Sequence, residues 1–306
     1  MAININKLVT EGRNPNTLDI DLLPTEEVLK RINNEDKTIA CVVEVALPQI
    51  ARLVDKATKA LYLGGRLIYL GAGTSGRVGI LDAVECPPTF SISSEVIQAV
   101  MAGGERAFIR AKEGAEDSIE EAIADLKNIN LNSNDVVIGI TASGRTPYAI
   151  SGCQYAKTQG CVTASIATSL NSEISAVVDF PIEVNTGPEV IAGSTRMKAG
   201  TAQKMICNMI STTTMIKLGK VYQNLMVDVQ PTNEKLKSRA RNILVQAAGV
   251  SFEEASEYID EYGTVKKALF SLLSGIKDKE KVESYLNKTK GNIHKSLEIV
   301  KNEKSN

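Results

Sequence analysis

The chain has 306 residues, 35 of them basic and 36 acidic, for a formal net charge of −1. That length predicts one main domain with an appendage, and the near-neutral balance argues against an electrostatic nucleic-acid binder. A single histidine, His294, all but excludes Ser-His-Asp chemistry and histidine-based zinc sites, so proton transfers fall to Glu, Asp, Lys, Tyr or Cys.

The opening stretch MAININKLVTEGRNP has no signal-peptide apolar region. No apolar run approaches the roughly 20 residues of a membrane span. A soluble, cytoplasmic protein without membrane partners is expected. An N-terminal helical arm is predicted over 1–55, and residues 25 to 64 read as helices. Ile39, Val43, Leu47, Ile50, Val54, Ala57 and Leu61 fall on one helical face. Pro48 should interrupt that helix, and Gly64 with Gly65 should end it.

An α/β domain is predicted over 56–230. Strands are expected at Arg66–Leu70, Val96–Met101, Asp135–Ile140, Val162–Ala167 and Phe180–Val184, with helices at Thr74–Val84, Ala107–Leu126 and Pro147–Gln159. This alternation means a five-stranded parallel sheet with helices on both faces, doubly wound through right-handed crossovers. Residues 231–306 read as a small helical domain, its helices split by Gly249, Gly263, Gly275 and Gly291. The five cysteines (Cys41, Cys86, Cys153, Cys161 and Cys207) form no CxxC pair and are expected to be reduced. Cys86, in a loop beside Glu85, is not read as a nucleophile, because an acidic neighbour disfavours the thiolate.

Ligands of parallel α/β sheets bind beyond the carboxyl ends of the strands. Two loops fall there, 71–77 (GAGTSGR) and 141–146 (TASGRT). Each combines small residues, hydroxyls and a helix to follow, a composition that can wrap a phosphate without a metal. The first also matches the dinucleotide fingerprint. An acidic residue at the end of the next strand is missing, however: Glu95 stands at its start. A sugar phosphate therefore fits better than NAD. Tight capped turns are the bland alternative for both loops. The segment 187–204, GPEVIAGSTRMKAGTAQK, adds Ser194 and Thr195 at a predicted helix start, with Arg196, Lys198 and Lys204 close by. An anion site and an ordinary N-cap with solvated lysines are both open readings of it.

Together GAGTSGRVGILDAVECPPTF (71–90), EGAED (113–117), ASGRTPY (142–148) and the 187–204 segment resemble the N-acetylmuramic acid 6-phosphate etherases. TEGRNPNTLDID (10–21) and NLMVDVQPTNEKL (224–236) fit the same family, although vertebrate glucokinase regulatory protein shares the 187–204 segment. The resemblance implies a sugar-isomerase (SIS) fold, a flavodoxin-like sheet, in a homodimer with sites near the subunit interface. It implies cleavage of the D-lactyl ether of N-acetylmuramic acid 6-phosphate to N-acetylglucosamine 6-phosphate and D-lactate, in bacterial cell-wall sugar recycling, with no metal or organic cofactor. By motif, Glu85 would protonate the departing lactate and Glu116 would be the second catalytic carboxylate, acting as base. Glu113 is the fallback for the base.

Thr74, Ser75, Gly76, Ser143, Gly144, Thr146, Glu189, Ser194 and Lys198 are the expected substrate contacts, with Ser75, Ser143 and Thr146 on the phosphate. Two loop-borne glutamates suit a chain poor in histidine. Pro87, Pro88 and Phe90 could give Glu85 a poorly solvated wall. A solvated loop carboxylate is the bland alternative for Glu85, and a helix N-terminal residue that for Glu116. The competing functions are an aldose–ketose isomerase of a hexosamine phosphate and a non-catalytic sugar-phosphate sensor.

Overall fold

The computed structural model describes residues 9–110, 112–229 and 234–305. Residues 230–233 of the NLMVDVQPTNEKL motif lie outside that set. Two compact units emerge, one comprising residues up to Val84 with Ser94–Ser211, the other Glu85–Ser93 with residues from Thr212 onward.

In the first unit, α1 (Thr25–Asp36), α2 (Ile39–Glu44) and α3 (Leu47–Tyr62) precede the sheet. Pro48 sits in the first turn of α3, where its missing N–H costs nothing. The interruption therefore falls before Pro48, at Val45–Ala46. The restart rotates the apolar face: Ile39, Val43, Ile50, Val54 and Ala57 are buried as expected, but Leu47 is exposed and Ala46 and Leu53 are buried instead.

The sheet strands are β1 (Leu67–Gly71), β2 (Ile97–Met101), β3 (Val136–Thr141), β4 (Val162–Ala167) and β5 (Phe180–Glu183). All pairings are parallel, in the order β2-β1-β3-β4-β5. The central strands β1 and β3 are buried along their whole length, as a parallel sheet covered on both faces requires. Alternate side chains face opposite layers. Ile68, Leu70 and Val137 pack with Leu126, Tyr148 and Cys153 of α6 (Ile119–Asn128) and α7 (Pro147–Thr158). Tyr69 points the other way, toward α4 (Gly73–Phe90) and α8 (Lys198–Lys217): its hydroxyl donates to buried Asp82, which also accepts from Asn208 and Ser211.

Two helical expectations differ from the structure. The helix after β1 runs on to Phe90 and carries Pro87 and Pro88 within it, so Glu85 and Cys86 lie on a helix and not in a loop. The stretch expected as one helix over Ala107–Leu126 is instead α5 (Glu105–Ile109), a 3-10 turn (Ala115–Asp117) and α6. Gly114, in the left-handed region with φ 74°, turns the chain into the 3-10 turn, and the Ser118 side chain caps α6 by accepting from the Glu121 N–H.

Beyond the ends of α4 and α8, the described residues of the second unit form a two-strand ribbon, β6 (Val221–Tyr222) with β7 (Leu225–Met226), and the helices α9 (Glu234–Ala248), α10 (Phe252–Tyr262), α11 (Val265–Ser274), α12 (Lys279–Lys288) and α13 (Ile293–Ser305). They surround their own core, which includes Ile243, Leu244, Val265, Phe270 and Val282. The helix breaks fall at the expected glycines. Gly263 and Gly275 are left-handed C-caps, and Ser251, Thr264 and Asp278 cap the helices that follow. His294 is stacked on Tyr222 within this unit. No helix among the described residues is long and apolar enough to cross a membrane.

Candidate active site

The order β2-β1-β3 makes the gap between β1 and β3 the switch point of the sheet, where crossovers leave toward opposite edges. Gly71 and Ile140 are register partners there, so the loops that follow them leave side by side.

The loop after β1 is short. Gly73, with φ 54°, already opens α4, and Thr74, Ser75 and Gly76 occupy its first turn. A Cβ on Gly76 would stand 2.8 Å from both the Gly71 oxygen and Met101 Cγ, so only glycine lets this helix start press onto the strand ends. The N–H groups of a first helical turn have no intrahelical partner and carry a partial positive charge.

The loop after β3 is braced by its own hydroxyls. Thr141 Oγ1 and Thr146 Oγ1 are 2.8 Å apart, and the Gly144 N–H donates to Thr141 Oγ1. Gly144 is left-handed and has no room for a side chain, since a Cβ would lie 2.1 Å from Ser172 Cβ. Ser143 Oγ accepts from the Arg145 N–H at 3.3 Å, which leaves its own proton free to be donated.

A cavity of ≈ 310 Å³ opens beside the first loop, with Gly73, Arg77, Met101, Lys112, Glu113 and Glu116 among its lining residues. Arg77 donates from Nε to the Phe108 oxygen and from Nη2 to the Ala107 oxygen, which ties α5 to α4. Buried Ala115 anchors the 3-10 turn while its neighbour Glu116 stays exposed toward solvent. Glu113 and Glu116 thus share one cavity with the first loop. Glu85 is exposed on the part of α4 that clusters with the second unit, and its backbone oxygen accepts from Thr89 Oγ1. Of the wall expected beside it, Phe90 is buried and Pro87 half-buried, while Pro88 is exposed.

The 187–204 segment differs from expectation at its helix start. Ser194 to Met197 form turns, and α8 begins only at Lys198. The capping group is remote in sequence. Glu189, 1% exposed, accepts from the backbone N–H of Lys198 with one carboxylate oxygen and from that of Ala199 with the other, both at 2.9 Å. The Lys198 ammonium is buried 2.7 Å from Glu35, which also accepts from Asn14 and Asn16. Burial alone would raise the Glu35 carboxyl, but these hydrogen bonds outweigh it and hold it below the usual carboxylate range. Glu189 and Lys198, expected on the substrate, are thus engaged inside the protein. The TEGRNPNT motif joins the same fastening: Thr17 Oγ1 donates to the Val190 oxygen, Asn14 to the Pro188 oxygen, and the Gly193 N–H to the Thr10 oxygen.

The first turns of α4 and α8 meet. A Cβ on Gly200 would stand 3.3 Å from Thr74 Cγ2, and Ser75 Oγ donates to Gln203 Oε1 at 3.0 Å. Thr74 and Ser75 are therefore brought to the 187–204 segment, and Glu116 to the first loop. Burial pushes the Cys153 thiol up to about 12 and the Cys161 thiol to about 11, far from a reactive thiolate. Among the described residues, no three His, Cys, Asp or Glu side chains converge as metal ligands.

Residues 49–157 match the family model of the glucokinase regulatory protein N-terminal SIS domain, and residues 117–212 that of the SIS domain. Over 98% of its length the chain is 50% identical to an N-acetylmuramic acid 6-phosphate etherase of Clostridium beijerinckii, covering 99% of that protein. It is 53% identical to one of Clostridium botulinum strain Eklund 17B, across 98% of this chain and 100% of the relative. The chain belongs to the N-acetylmuramic acid 6-phosphate etherase family. Among solved structures, a phosphoheptose isomerase of Neisseria gonorrhoeae matches with a TM-score of 0.46 and 14% identity, over 62% of this chain and 97% of that one.

In this etherase-family chain the sequence reading passed over Arg77, Glu35 and Gln203. Gln203 carried a readable signal. It lies on the buried stripe of α8 with Ala199, Ala202 and Ile206, where an amide needs a partner. Glu35 carried none, because its partners lie far away in sequence.

Proposed function

We propose that this protein cleaves the D-lactyl ether of N-acetylmuramic acid 6-phosphate, giving N-acetylglucosamine 6-phosphate and D-lactate. One observation carries the reading beyond family membership. The glutamate-lined cavity opens on the helix start of the first hydroxyl loop, and that loop leaves the sheet beside the second one. This supplies an anion cradle and a carboxylate in one place.

In the opened sugar the ether oxygen is on C3, β to the C1 aldehyde. Glu116 takes the C2 proton, and the resulting enolate-type electron pair expels the C3 oxygen. Glu85 protonates that oxygen as lactate departs. Water then adds its hydroxyl at C3 and a proton returns to C2, so one water is consumed overall. Glu113, in the same cavity, is the second candidate for the base. The phosphate is held by the first turn of α4 (Thr74, Ser75, Gly76) and by Ser143, Gly144 and Thr146 of the second loop, with Ser194 near the start of α8. Glu189 and Lys198 serve the substrate indirectly, by fixing that segment.

The test is a D-lactate assay on purified protein given N-acetylmuramic acid 6-phosphate in the presence of EDTA. Lactate and N-acetylglucosamine 6-phosphate are expected in equal amounts. A ketose product without lactate would favour the isomerase reading, and binding without turnover the sensor.

We also propose a cytoplasmic homodimer with the site near the subunit interface. Two features support it. Leu81 and Val84 are exposed on α4, one helical turn apart and next in the chain to Glu85, and a phosphorylated substrate does not cross a bilayer unaided. Light scattering on the eluting protein should give twice the 32.9 kDa chain mass; a monomer at assay concentration refutes the dimer.

A further inference from the structure

Ser75 and Gln203 form an isolated polar pair in the wall between the first turns of α4 and α8. Ser75 is 8% exposed and Gln203 is 1% exposed. The serine proton goes to Gln203 Oε1. Gln203 Nε2 is buried and has no hydrogen-bond partner among the described residues. An orphaned buried amide donor is costly.

The consequence for Ser75 is chemical. A hydroxyl has one proton. With that proton turned toward Gln203, Ser75 offers only lone pairs outward, and these repel a phosphate oxygen. Reversing the amide exchanges an orphaned donor for an orphaned acceptor and turns the serine proton outward. Nε2 would then stand where Oε1 is, 3.0 Å from Ser75 Oγ, and would donate to it. The amide donor gains a partner, the amide oxygen gives its own up, and the serine proton is released. Oxygen and NH₂ are nearly the same size, so the reversal needs no repacking.

We propose that Gln203 is a positioning residue for the substrate phosphate, acting through Ser75: its amide donates to Ser75 Oγ and so directs the serine proton onto a phosphate oxygen. This rests on the reading of Ser75 as a phosphate contact. Gln203 itself touches neither the phosphate nor the reacting carbons.

The experiment is a double-mutant cycle on KM and kcat for lactate release, with Ser75→Ala, Gln203→Glu, Gln203→Met and the Ser75→Ala/Gln203→Met pair. An ionised glutamate can only accept, so at a pH where it is charged it locks the serine proton inward, and KM should rise on the order of tenfold, the size of one hydrogen bond to a charged group. Methionine leaves the proton unclaimed and should raise KM less. In both cases kcat should fall less than KM rises. In the Ser75→Ala background the methionine change should add nothing further. If Gln203→Glu does not fold, the methionine cycle still decides. Additive KM effects overturn the proposal, as does an unchanged KM in the Gln203 variants while Ser75→Ala raises it. A KM unmoved by Ser75→Ala refutes the phosphate reading itself.

Discussion

Glu116→Gln should lower kcat for lactate release by about 10²- to 10⁴-fold, the usual contribution of one general acid–base group. KM should change far less, because the substitution keeps shape and removes only the proton-accepting charge. The prediction follows from position: Glu116 projects from a short 3-10 turn whose buried neighbour Ala115 fixes it in the cavity beside Gly73. Glu113→Gln, measured alongside, decides between the two carboxylates of that cavity. A comparable fall is expected for Glu85→Gln, relieved with substrates whose leaving group needs less protonation; Glu116→Gln should gain no such relief. Near-normal lactate release by Glu116→Gln would reassign the base.

Lys198→Met should be the most destabilising single change near the site. The ammonium and the Glu35 carboxylate are both buried, and removing one partner of such a pair typically costs about 3–5 kcal/mol. In a unit of this size that corresponds to a melting-temperature fall of roughly 10 °C. Adding Glu35→Gln should recover much of the loss, because an amide needs no counter-charge. The wild-type protein has a matching pH signature. The folded Glu35 carboxyl lies below its unfolded range, so on acidification the unfolded chain binds the proton first. The pair's stabilisation is therefore fully present above about pH 5, declines through the unfolded carboxylate value near about 4.3, and is gone once pH has fallen through the lowered folded value. Melting temperatures of wild type and Lys198→Met should converge toward low pH. A constant gap would mean that the pair does not act as charges.

The sheet was legible because its code is local. Runs such as LIYL and VVIGI are apolar throughout, as a strand covered on both faces requires, and the glycines of the C-terminal helices mark breaks wherever they stand. The site was legible as far as motif and strand end coincide, which placed both hydroxyl loops. What escaped depends on partners distant in the chain. The start of α8 was expected at Ser194 because serine and threonine are good local caps, yet Glu189 wins by supplying two acceptors at once. The helix after β1 was expected to stop at Val84, whereas it carries Pro87 and Pro88 on to Phe90. Lys198 drew attention as a cation near an anion site, but its counter-charge was folded in from α1.

Two helix starts meet at the switch point, and the carboxylate that closes one of them has an electrostatic corollary. With Glu189 across its first N–H groups, α8 already holds an internal anion and has little field left to offer another. The α4 start faces the cavity through Gly73. On the proposed reading, an incoming dianion meets an asymmetric pair of poles, one quenched and one open. Charge reversal at Glu189 would do more than loosen a helix: it would leave the α8 start open to an anion and so, on the proposed reading, set up a second pole in competition with the first.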